Sequence, residues 1–125
     1  MKKRVLIFDD DPDILEVCAI VLRSHGFETS TQRDCEDILQ KIDQFRPDVV
    51  LMDNKIPPVG GVLAARTVKA SPNHAGLPIV FFSANLEVAK LAGDAGADQY
   101  IEKPFDLDAL VAVLHKAMDP DVRLL

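Results

Sequence analysis

One pattern constrains the fold of this chain more than any other. Short unbroken apolar runs, Val5 to Phe8, Val49 to Met52 and Ile79 to Phe82, are separated by longer stretches whose apolar residues recur at helical spacing. A strand with one wet face alternates apolar and polar residues, so a run that does not alternate must be covered on both faces. Strands buried on both sides and separated by helices form a parallel sheet with right-handed crossovers and a helical layer on each side. The fold class expected is α/β.

The remaining segments complete the alternation. Asp11-Pro12 reads as an N-cap followed by proline at the first helical position, with Ile14, Cys18, Val21 and Leu22 on one face up to a stop at Gly26. A weaker strand, predicted at the sheet edge, spans Phe27 to Thr31. Asp34 is expected to cap a helix carrying Ile38, Leu39, Ile42 and Phe45, which Pro47 ends. After Met52, "NKIPPVGG" is a turn-rich loop, and Val62 to Ala70 reads as a helix closed by Ser71-Pro72. An alanine-rich helix from about Leu86 to Asp94 precedes a fifth strand in "GADQYIEK". Asp106 then caps a last helix with Leu107, Leu110, Val111, Leu114 and Met118 on one side. Five strands alternate with five helices.

At 125 residues, 48% of them hydrophobic and 27% charged, the chain is the size of one domain with a real core. The boundaries expected are 1–120 for the domain and 121–125 for a short C-terminal tail. No apolar run approaches the roughly 18 residues of a membrane span, and "MKKR" leads straight into a strand, so a cytoplasmic location is expected. Cys18 and Cys35 lack CxxC spacing and read as bystanders in a reducing compartment. His25, His74 and His115 lack ligand spacing with one another and read as surface residues. With 14 basic against 20 acidic side chains, a net charge of −6 disfavours direct contact with nucleic acid and points to protein partners.

An open parallel sheet places its chemistry beyond the carboxyl ends of the strands. The first strand ends at Asp9 and Asp10, the third at Asp53, the fourth at Ser83 and the fifth near Lys103. Three carboxylates, one hydroxyl and one ammonium therefore converge on one edge, a set that no core requires. Carboxylates this close resist ionising together unless a cation resolves them. Without His or Cys beside them they are hard oxygen donors suited to Mg2+. Lysine can neutralise a phosphoryl group, serine can hydrogen-bond one of its oxygens, and the remaining carboxylate can act as nucleophile toward phosphorus. Phosphoryl transfer to an aspartate is the chemistry this set supports.

Those residues carry a resemblance that covers essentially the whole chain. The pair Asp9-Asp10, "VVLMDNKIPPVGG" around Asp53, "PIVFFSA" and "YIEKPF", in this order and on these strand ends, resemble the CheY-like response-regulator receiver domains of two-component signalling. The resemblance implies a flavodoxin-like doubly wound five-stranded parallel sheet in the order 2-1-3-4-5 with five helices. It implies Asp53 as phosphoryl acceptor, Asp10 as direct Mg2+ ligand, Asp9 as its acidic neighbour acting through a metal-bound water, and the backbone carbonyl of Lys55 completing the metal site. It further implies Ser83 as switch hydroxyl, Lys103 as the charge-neutralising lysine and Tyr100 as an aromatic rotamer switch. The Lys103-Pro104 peptide inherits an expectation of cis geometry, against about 5–6% for X–Pro bonds in general.

Partners implied are a sensor histidine kinase or histidine phosphotransfer protein, and downstream either a protein target or an output domain outside this sequence. The chain would catalyse only its own phosphorylation and dephosphorylation, and the last helix and its neighbours offer a surface for a phosphorylation-dependent homodimer. Several positions depart from the family pattern or tune it. Gly60-Gly61 stands where an acidic residue commonly precedes the loop glycine, which would loosen the loop. Lys55 and Asn85 occupy positions that influence phosphoryl lifetime, and Lys55 is expected to slow hydrolysis.

Three rival readings remain in view. "VLIFDDDPD" also fits the start of haloacid-dehalogenase-like phosphatases, with Asp9 as nucleophile and Asp11 as acid/base, but Asp13 departs from that motif and Asp53 is left unexplained. Asp11 reads better as a helix cap. A receiver-like interaction module that is never phosphorylated would not need the intact set of acids, hydroxyl and lysine. A nucleotide cradle would need glycines where the first loop has acids.

Overall fold

The computed structural model describes residues 2–84, 87–103 and 106–119. The sequence reading of Asn85, the Leu86 helix start, the Lys103-Pro104 peptide and the 121–125 tail lies outside them. The elements in chain order are β1 (Arg4–Phe8), α1 (Pro12–Ser24), β2 (Glu28–Gln32), α2 (Ile38–Phe45), β3 (Val49–Asp53), α3 (Gly61–Ala70), β4 (Ile79–Ser83), α4 (Val88–Ala95), β5 (Gln99–Glu102) and α5 (Leu107–Met118). All four pairings are parallel, in the order β2-β1-β3-β4-β5. This is the doubly wound architecture expected from the sequence.

The unbroken apolar runs are explained by two cores. Leu6, Phe8, Val50, Met52, Ile79 and Phe81 face α2, α3 and α4, where they meet Ile42, Ala65, Val68 and Ala92. Val5, Ile7, Val49, Leu51, Val80 and Phe82 face the other way, onto Leu15, Cys18 and Leu22 of α1 and Leu110 and Leu114 of α5. Each fully buried large side chain here contributes roughly 1.5–3 kcal/mol relative to exposure. Successive residues of one strand thus feed opposite cores, and neither face can be polar.

Local departures from the sequence reading have local causes. β2 begins one residue later than expected, because the Phe27 backbone N–H closes the end of α1 on the Leu22 carbonyl at 3.0 Å. Gly26, at φ 90°, makes the left-handed turn that allows this. Asp34 does not cap α2. Its Oδ1 accepts from the Glu36 backbone N–H at 3.0 Å and from Lys41 Nζ at 2.5 Å, and the hydrogen bond from Lys41 holds its carboxyl below the usual range. α2 starts instead after Asp37, which sits at φ 50° without capping it.

The other two caps form as expected: Asp11 accepts from the Asp13 and Ile14 backbone, and Asp106 from Ala109 at 2.7 Å. Leu107, at the first turn of α5, is 44% exposed, so the buried side of that helix begins at Leu110. His74 is no free surface residue. Its ring is held between Ser71 Oγ and Asp43 Oδ1, both at 2.7 Å, which ties α2 to the end of α3.

Candidate functional site

Strand parity assembles the site. Asp9 lies two residues beyond Ile7, Asp53 two beyond Leu51 and Lys103 two beyond Ile101, and all three apolar residues belong to the core on the α1/α5 side. Side chains two apart on a strand share a face, so the three charged groups emerge together where that core ends. Lys103 Nζ donates to Asp9 Oδ2 at 2.7 Å and lies 3.3 Å from Asp53 Oδ1. The backbone fixes the other carboxylate oxygens: Asp9 Oδ1 accepts from the Asp11 N–H at 2.9 Å, and Asp53 Oδ2 from the Lys55 N–H at 3.2 Å. Asp10 stands beside them, exposed to solvent.

The cleft they form has a volume of about 490 Å³ and is also lined by Lys55 and Ser83. Ser83 is buried at the end of β4, and the Lys103 backbone N–H donates to its carbonyl at 2.8 Å. Asp11 lines the cleft too, but its carboxylate is engaged as the cap of α1. Tyr100 is not brought into the cleft. It is 50% exposed and pairs in register with Phe81, on the sheet face opposite Lys103.

The electrostatics follow from burial and crowding. Burial, and then the charge of Asp9, push the Asp53 carboxyl up to about 6 against the opposing pull of Lys103. Burial raises Asp9 as well, although Lys103 and the Asp11 N–H favour its charged form. Burial acts to lower Lys103, but its hydrogen bond to Asp9 and the charges of Asp53 and Asp9 prevail and hold it above the usual lysine range. Cys18, expected to be inert, is buried, and burial with the nearby Asp9 charge pushes its thiol up to about 11.

The acid cluster has the chemistry of a cation site. Carboxylate oxygens of Asp9, Asp10 and Asp53 all lie within 4.8 Å of one another. Three carboxylates against one ammonium leave an excess of negative charge, and oxygen-only donors suit a hard divalent ion such as Mg2+.

Three residues that shape the site were not legible as such in the sequence. Gly61 is held by close packing: a Cβ there would overlap the backbone carbonyl oxygen of Asp53, so the start of α3 packs directly on β3. Cys35 is buried, and its N–H and thiol both donate to the Pro57 carbonyl, at 2.8 and 3.2 Å, anchoring the loop that follows Asp53. The ring of Phe82 lies under the Lys103 ammonium, 4.4 Å from Nζ to the ring centroid. An aromatic directly before the strand-end serine was the one available hint.

Comparison with known proteins gives a consistent result. The family model of the response regulator receiver domain matches residues 5–115. The chain is 38% identical over 114 residues to the DNA-binding response regulator MtrA of Mycolicibacterium smegmatis, covering 90% of this chain and 49% of that protein. It is 40% identical over 111 residues to the transcriptional regulatory protein PrrA of Mycobacterium leprae, covering 87% and 47%. The chain thus spans about half the length of these curated relatives. Among solved structures, a CheY-like response regulator receiver domain protein of Methanospirillum hungatei JF-1 superposes with a TM-score of 0.84 at 27% identity, covering 99% of this chain and 98% of that one. The chemotaxis response regulator CheY4 of Vibrio cholerae shares the fold with a TM-score of 0.85 at 24% identity, covering 94% and 99%. Among the described residues no helix is long and apolar enough to cross a membrane. With acids, hydroxyl and lysine placed at the carboxyl edge of a 2-1-3-4-5 sheet, the chain belongs to the response regulator receiver domain family of two-component signalling.

Proposed function

We propose that Asp53 accepts a phosphoryl group from a phosphohistidine donor and that the phosphorylated chain presents an altered protein-binding surface. The observation that carries this reading is the Lys103 ammonium placed between Asp9 and Asp53, partners 94 and 50 residues away in sequence. An Asp53 oxygen attacks phosphorus in line; the P–O bond forms as the P–N bond to the donor imidazole breaks, and the electron pair leaves with the imidazole. Lys103 neutralises charge on the transferred group, and Ser83 hydrogen-bonds one of its oxygens. Asp9, Asp10, Asp53 and the Lys55 carbonyl are the groups that would hold Mg2+, which when bound supplies further charge neutralisation on the phosphoryl oxygens.

Engagement of Ser83 and inward rotation of the exposed Tyr100 then bias a two-state equilibrium of the surface built by α4, β5 and α5. The donor is a sensor histidine kinase or histidine phosphotransfer protein in the cytoplasm. The receiver of the signal is a protein target, an output domain or a second copy of the chain.

Intact mass after incubation with acetyl phosphate tests the reading. The expected result is a gain of one phosphoryl group with Mg2+, none with EDTA, and none in Asp53→Asn. Phosphate release that survives Asp53→Asn and stops with Asp9→Asn would replace this reading with a phosphatase. Lys55, exposed at the cleft mouth, shields the phosphoryl group from water or pairs with it. Lys55→Ala is therefore expected to shorten the aspartyl-phosphate half-life several-fold; an unchanged or longer half-life rules that role out.

A further inference from the structure

We infer that Phe82 is a positioning residue for phosphoryl transfer, its ring face holding the Lys103 ammonium between the two carboxylates. The inference rests on the proposed function for its consequence, but the contact itself stands on geometry. In the sheet register Phe82 pairs with Asp53 on one side and Ile101 on the other. It therefore shares their face and forms the apolar floor from which Asp53 and Lys103 rise. The ring is fully buried, the Lys103 side chain is 16% exposed, and Nζ sits 4.4 Å from the ring centroid.

A lysine side chain this enclosed has given up part of its hydration. Asp9 and Asp53 attract it from one side, and the negative face of an aromatic ring attracts it where an aliphatic side chain would offer nothing. The consequence is directional. The carboxylates set the ammonium 2.7 Å from Asp9 and 3.3 Å from Asp53, and the ring supports it there from the sheet side, within reach of oxygens transferred to Asp53. Phe81, next along β4, faces the opposite core among apolar side chains and serves as an internal control.

Replacement of Phe82 by mono-, di- and trifluorophenylalanine in the full chain separates this contact from packing. Fluorine removes electron density from the ring face while leaving the side chain nearly the same size and more apolar. Packing alone would leave stability unchanged or raised. Two readouts are needed: the urea unfolding midpoint in EDTA, and the rate of phosphoryl gain from acetyl phosphate with Mg2+.

At position 82 both are expected to fall stepwise with fluorination. The trifluoro variant should lose about 2- to 30-fold in rate and in folding equilibrium constant, the span expected from the strength of cation–π contacts. The same series at Phe81 should lose neither. Equal responses at the two positions, or a rate at 82 indifferent to fluorine, would overturn the inference. A stepwise loss of stability at 82 in a chain that never gains a phosphoryl group would sustain the contact and overturn the phosphoryl reading instead.

Discussion

Gly61→Ala is expected to slow phosphoryl gain from acetyl phosphate by about 100-fold and to lower stability by roughly 1–3 kcal/mol or more. The backbone of Gly61 is not in the left-handed region, so the cause is proximity and not conformational freedom. An added Cβ would overlap the Asp53 carbonyl oxygen and stand 3.0 Å from Asn54 Cα, and both are main-chain atoms that cannot rotate away. The Gly61 N–H also donates to the Asn54 carbonyl at 2.9 Å, so pushing α3 outward would stretch the link between β3 and its loop. The Asp53 carboxylate would then move relative to Lys103, and the in-line displacement proposed for it tolerates little misplacement. Gly93 makes the contrast, since nothing lies within 4 Å of a Cβ there and the residue is inside α4. Gly93→Ala is expected to stabilise the fold by about 0.5–1 kcal/mol and leave the rate unchanged. Urea unfolding and intact-mass kinetics on both variants check this; a Gly61→Ala protein with native rate and stability would contradict the packing described.

The second large effect is on pH dependence in the absence of metal. Asp53 is held up to about 6, against an ordinary value of 3.8, by burial and then by the charge of Asp9. Between those values the folded chain binds more protons than the unfolded chain, so stability falls as pH rises from about 4 to about 6. Above that window the ionised, buried carboxylate costs the fold roughly 3 kcal/mol. Asp9, shifted in the same direction, adds to the fall. Asp53→Asn removes the largest part of the cost. Its unfolding midpoint is expected to exceed that of the native chain clearly at pH 8 and by little at pH 4, both in EDTA. Adding Mg2+ at pH 8 should stabilise the native chain far more than the variant, because binding to the folded state alone raises stability by mass action. Parallel stability curves for the two proteins across pH 4 to 8 would show that Asp53 is not the strained group.

Much of the architecture could be read from the chain because parallel sheets buried on both faces leave a signature that little else produces. The runs at Val5, Val49 and Ile79 have no polar alternation, and the residues that end them are charged or hydroxylic whichever way the helices pack. Proline at the start of α1 and the aspartates at 11 and 106 mark helix starts by local chemistry alone, and both caps form. Asp34 misled because an aspartate near a helix start can bond its own backbone or a nearby lysine as readily as a helix N–H. Lys41, one turn into α2, drew it away.

Sequence by itself determined the layered fold and the sheet edge on which Asp9, Asp10, Asp53, Ser83 and Lys103 meet. These follow from patterns of period two and 3.6 and from strand ends, which are local properties. Only the tertiary structure decided which groups touch. It decided that Lys103 sits nearer Asp9 than Asp53, that Gly61 lies against the Asp53 backbone, that Cys35 anchors the loop through Pro57, that Phe82 floors the lysine, and that Tyr100 stands outside the cleft. Such contacts depend on the register between strands and on helix placement to within an ångström. No local pattern in the chain encodes those distances.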